Sequence, residues 1–146
     1  MNDEKLFEML EICVADAVAV LEKGERLNPF AMILEADDTH RPLHIDEPDM
    51  ERRYDLLHQA LKAEAAHGEI KAAALLARVT IPENYSPAVP EGIRIHVEER
   101  AGAHEQLSGR LLYIPYQLYR AEGEEYIRVH LHHPIPVGMP SEIFKS

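Results

Sequence analysis

The chain has 146 residues, 46% hydrophobic and 28% charged, which is the size and balance of one domain with room for a real core and excludes a disordered chain. Its formal net charge of −11 disfavours a nucleic-acid partner, and no apolar run approaches the roughly 18 residues that a membrane span needs. The charge is uneven: residues 1–50 hold 4 Lys and Arg against 13 Asp and Glu, which leaves a net of only −2 for the other 96.

The expectation is therefore a single domain over residues 1–146, with no nucleic acid and no membrane among its partners. A basic protein partner suits the N-terminal part better. Cys13 is the only cysteine, so no intrachain disulfide can form, and it sits in an apolar helical stretch where a buried, inert thiol is expected. The start Met1-Asn-Asp-Glu is the opposite of a basic signal-peptide region. Both features point to the cytoplasm.

Residues 3–23 predict a helix, with Leu6, Met9, Cys13, Ala17 and Leu21 at helical spacing, Asn2 or Asp3 as cap and Gly24 as stop. Phe30-Ala-Met-Ile-Leu is a short, continuously apolar run, consistent with a central strand. Asp37-Asp38-Thr39 joins it to a weaker strand over residues 41–45, which Pro42 assigns to an edge. Asp46-Glu47-Pro48 opens a second helix whose face carries Met50, Tyr54, Leu57, Leu61 and Ala65, ending near Gly68. Residues 70–81 have helical propensity at Ala72-Ala-Ala-Leu-Leu, but the alternation of Leu75, Ala77, Val79 and Ile81 favours a strand. After the Pro82–Pro90 loop come strands at 93–99, 110–120 and 126–133, the last two joined by Ala121-Glu-Gly-Glu. The tail after Pro134 holds Pro136, Gly138 and Pro140 and is expected to be irregular.

This order, α-β-β-α-β-β-β(-β), predicts an α+β fold: a five- to six-stranded, mostly antiparallel sheet with two helices packed on one face. The order is similar to that of roadblock and profilin-like scaffolds, at the level of fold alone. Asn28-Pro29-Phe30, followed by Leu34 and Asp37, also resembles the opening of a group of small bacterial α+β proteins of unassigned function. That resemblance covers the first third of the chain and implies no activity.

Function is sought on the polar rows of the alternating strands. Ile93, Ile95 and Val97 oppose Arg94, His96 and Glu98; Ile127, Val129 and Leu131 oppose Tyr126, Arg128, His130 and His132. If these strands pair in sequence with 110–120, one surface combines Arg94, His96, Tyr113, Tyr119, Tyr126, Arg128, His130 and His132. Tyr and Arg are common at interface hot spots, so this face is expected to bind a protein partner or a second copy as a homodimer. The competing expectation is a His-dependent, metal-assisted enzyme using His96, His130 and His132, with Glu98 as a further ligand. Otherwise no metal and no cofactor is expected. His96-Val97-Glu98 lacks the P-C-x-x-C partner of nucleobase deaminases. His130-Leu131-His132 with Ser141 departs from JAMM metalloprotease spacing, and Phe144 stands where that pattern needs Asp. No nucleophile elbow or phosphate-binding glycine loop occurs.

Overall fold

A computed structural model describes residues 3–100 and 108–144, so Asn2 as a cap lies outside the described residues. The first helix, α1, spans Asp3–Glu22 and buries Leu6, Met9, Cys13, Ala17 and Leu21 along one side. It stops where Gly24 takes φ +74°, the left-handed conformation that glycine adopts at least cost. Phe30–Leu34 (β1) and His40–Leu43 (β2) form the expected hairpin. In its turn, Thr39 donates its backbone N–H and its hydroxyl to Asp37 Oδ1. The second helix, α2, spans Met50–His67. Its cap is Asp49 rather than Asp46, because Asp49 Oδ1 reaches the backbone N–H of Glu51 at 3.1 Å and of Arg52 at 3.4 Å.

The ambiguous stretch is a strand, Ala72–Thr80 (β3). A single 3-10 turn at Glu83–Tyr85 leads into Glu91–Glu99 (β4), Ser108–Tyr119 (β5), Arg128–Leu131 (β6) and Ile135–Pro140 (β7). The result is an α+β fold around an antiparallel sheet in the order β2-β1-β3-β4-β5-β6, with β7 also on β5. β2, with Pro42, is at an edge as expected.

β6 and β7 are two pieces of one return strand. Tyr119 pairs Arg128 and Tyr116 pairs Leu131, whereas Tyr113 pairs Ile135 and Ser108 pairs Pro140. The register shifts by one residue across His132–Pro134, the signature of a bulge. This corrects the expectation of an irregular tail. Pro136 and Pro140 cannot donate to a ladder, yet an edge strand needs only one of its two sides paired.

The helices are not on one face, and the second correction follows from strand alternation. Phe30, Met32 and Leu34 of β1, with Ala72, Ala74 and Leu76 of β3, pack against α1. The alternate residues Ala31, Ile33, Ala73 and Leu75 pack against Leu57, Leu61 and Ala65 of α2. Successive strand side chains point to opposite faces, so the two helices sandwich the sheet. The physical reason is that β1 and β3 are apolar on both sides and bury every residue from Phe30 to Leu34 and from Ala72 to Ala77. Such strands need a layer on each face.

Cys13 is fully buried under this core, and burial pushes its thiol up to about 12, so it is inert packing as expected. Gly92 sits where the sheet closes on Ile81: an added Cβ would lie 2.8 Å from Ile81 Cγ1 and 3.1 Å from the Ile114 carbonyl oxygen. Ile81 is itself buried and cannot swing out. Gly92→Ala is therefore expected to destabilise the fold by about 1–3 kcal/mol through overpacking, read as a lower urea midpoint at unchanged slope.

Candidate functional site

The α2 face of β4 carries Arg94, His96 and Glu98, and its last third is polar yet closed. His96 and Glu98 are each 2% exposed. A buried carboxylate is costly unless its oxygens are satisfied, and Glu98 accepts five hydrogen bonds. Oε2 accepts from His96 Nε2 at 2.5 Å and from the Glu142 backbone N–H at 2.9 Å. Oε1 accepts from Ser141 Oγ at 2.6 Å and from the backbone N–H groups of Ile143 at 2.9 Å and Phe144 at 3.2 Å. Gly109, paired with Glu98 across the strands, leaves the space for this side chain. Burial alone would raise the Glu98 carboxyl, but the donors from His96, Ser141 and the 142–144 backbone outweigh it and pull the group down to about 2.

Because the Glu98 carboxylate can only accept, His96 Nε2 carries the proton that it donates. The other ring nitrogen, Nδ1, lies 4.0 Å from Glu142 Oε1. His58 of α2 donates to that same oxygen from Nε2 at 3.0 Å, and its ring centroid lies 5.7 Å from that of His96. Ligand-type atoms of His58, His96 and Glu142 all come within 4.8 Å of one another. The 21% exposure of the His58 side chain and 48% of Glu142 show that the cluster opens to solvent on one side.

The neighbouring turn repeats the arrangement. Tyr54 precedes His58 by one helical turn and Arg94 precedes His96 by two strand residues, so they pair in turn, with Arg94 Cζ 5.1 Å from the Tyr54 ring centroid. Burial raises the Tyr54 hydroxyl, opposed but not cancelled by the Arg94 guanidinium. Arg94 Nε is buried without a hydrogen-bond partner. A cleft of about 430 Å³ opens beside them, lined by Pro29, Met50, Tyr54, Ala77 and Arg94.

The predicted surface is split. Arg94, His96 and Tyr113 lie on the α2 face, but His96 is covered by α2 and residues 141–144, and Tyr113 is buried beneath Tyr85 at 5.4 Å between ring centroids. Tyr119, Arg128, His130 and His132 belong to the β5–β6 end. There His130 and His132 meet edge to face at 4.6 Å, and His132 Nε2 is 2.8 Å from Gln117 Oε1. Tyr126 lies before β6, outside the strand, and is 56% exposed. His96 pairs with Leu111 and His130 with Gln117, six residues along β5, or about 20 Å at strand spacing. His96, His130 and His132 therefore do not form one metal site, and His96 is joined by His58 and Glu142 instead. Sequence reasoning missed His58 and Glu142. The one available signal was His58 bordering the buried face of α2 a turn after Tyr54. No protein-family model, no curated protein and no solved structure matches the chain.

Glu98→Gln keeps the shape but turns an amide N–H₂ toward donors, and is expected to cost about 3 kcal/mol in chemical denaturation. The acid response follows from the lowered carboxyl. The unfolded chain takes up the Glu98 proton near the ordinary value of 4.5, well before the folded chain does near 2. The stability Glu98 contributes is thus complete above that upper value and fades as pH falls toward the lower one. Unfolding midpoints measured across this window should fall for the native chain and stay flatter for Glu98→Gln.

Proposed function

We propose that the chain is a protein-binding module that associates with a second copy of itself through the β5–β6 end. The observation that carries this reading is where large apolar side chains remain exposed. Leu118, Tyr119, Tyr126 and Leu131 are 37–56% exposed and all lie at this end; Phe7, on α1, is the other such residue among those described. Leu118 and Leu131 lie on the α1 face and Tyr119 on the other, and exposed apolar side chains gathered on both sides of one sheet end support an interaction site there.

Two further features support it. Arg128 donates to both Glu124 carboxylate oxygens, at 2.7 and 2.9 Å, and to the Tyr126 hydroxyl at 2.9 Å, with its Cζ 4.9 Å from the ring centroid. The exposed tyrosine is thereby held in place before any partner arrives, which lowers the ordering cost of binding. β6 also ends the sheet order, and unlike β7 it carries no proline, so its outer edge can accept another strand. A two-fold axis at this edge would pair like with like. The single buried thiol, with no helix long and apolar enough to cross a membrane, fits a cytoplasmic module. Metal-assisted chemistry, the alternative reading, draws on His96 with His58 and Glu142 rather than on His130 and His132.

Light scattering coupled to size exclusion should give the mass of a dimer for the native chain. Leu118→Glu and Tyr126→Ala should each shift it toward the monomer, and Phe7→Ala should not. A native chain that stays monomeric at high micromolar concentration would remove self-association.

A further inference from the structure

We infer that His58, His96 and Glu142 form a binding site for one divalent transition-metal ion of the zinc class, with Glu98 orienting His96 from behind. The donor set is two imidazoles and one carboxylate, from α2, β4 and the segment after β7. Zinc and its neighbours in the first transition row take this set with a remaining position for water.

The second observation is the placement of His96. Its Nε2 proton is committed to a buried carboxylate that is itself fixed by four other donors. That bond fixes the ring orientation and places Nδ1 4.0 Å from Glu142 Oε1. A cation placed between them would be held by both the imidazole nitrogen and the carboxylate oxygen. A carboxylate behind a metal-binding histidine is the usual means by which proteins aim the ring and raise its basicity. The spacing is compatible. The pairs are separated by 3.0 and 4.0 Å and by no more than 4.8 Å. Tetrahedral zinc with bonds of about 2.0–2.1 Å places its ligands about 3.3–3.4 Å apart. Small rotations of His58 and of the half-exposed Glu142 supply the adjustment, with His58 carrying its proton on Nδ1, while His96 stays fixed by Glu98. The three ligands leave a fourth position for water or for an oxygen of a small ligand.

The experiment is isothermal titration of the untagged, chelator-stripped chain with Zn²⁺, with native mass spectrometry for stoichiometry and Co²⁺ absorption for geometry. One ion per chain is expected, with visible Co²⁺ bands of four-coordinate intensity. His58→Ala and Glu142→Ala, both at partly exposed positions, should each weaken Zn²⁺ binding tenfold or more without loss of fold by circular dichroism. Removing the other histidine pair, His130→Ala with His132→Ala, should leave it unchanged. No stoichiometric uptake would overturn the site. So would uptake that survives both His58→Ala and Glu142→Ala, or that disappears with His130 and His132.

Discussion

The carboxylate of Glu98 is the group on which the rest of the α2 face depends. A charge in that position is tolerable only because five donors surround it, and four of them come from residues 141–144. Glu98 in turn gathers that segment onto the sheet, which buries Ile143 beside Leu57 and Leu61 and sets Phe144 5.0 Å beneath the Arg100 guanidinium. Arg100 then donates to the carbonyls of Ala65, Gly68 and Ile70, closing the C-terminal end of α2. One buried acid thus links β4, the segment after β7 and the end of a helix, elements that share no local sequence signal.

The layering has a similarly simple origin. β1 and β3 are apolar on both sides, so neither can face water, and a helix is drawn to each face. β4 is apolar only on the α1 side. Its other side carries Arg94, His96 and Glu98, and α2 does not extend across all of it. What closes it is assembled piecemeal, by Tyr85 over Tyr113 and by residues 141–144 over His96 and Glu98. Among the described residues, the exposed large apolar groups gather at the β5–β6 end, with Phe7 on α1 the exception.

The sequence was legible wherever one local rule decided the outcome. Alternation located β4 and β5, the unbroken apolar run located β1, and spacing gave both helices. β7 was not legible, because Pro136, Gly138 and Pro140 contradict every local preference for a strand. It exists because β5 extends past β6 and offers it a ladder. The side of the sheet taken by α2 was missed because periodicity shows which face of a helix is apolar, not which face of the sheet receives it. The two-sided apolarity of residues 30–34 and 72–77 did contain that information. At the candidate site His96 and Glu98 were visible as a strand pair, whereas His58 and Glu142 join them through the tertiary fold, 84 residues apart in the chain.

The distance along the chain between Glu98 and its donors also sets an order of events. Ser141 and Phe144 lie 43 and 46 residues beyond it, with β5, β6 and β7 between. Closing so long a loop is entropically costly, whereas the hairpins β1–β2 and β5–β6 can form from short connections. The carboxylate therefore stays hydrated through early assembly and is sealed only when the strands that deliver its donors are in place. Contacts that form after the transition state act on the unfolding rate. On that order of events the Glu98 latch would act as a brake on unfolding, setting how long the native state persists more than how fast it is reached.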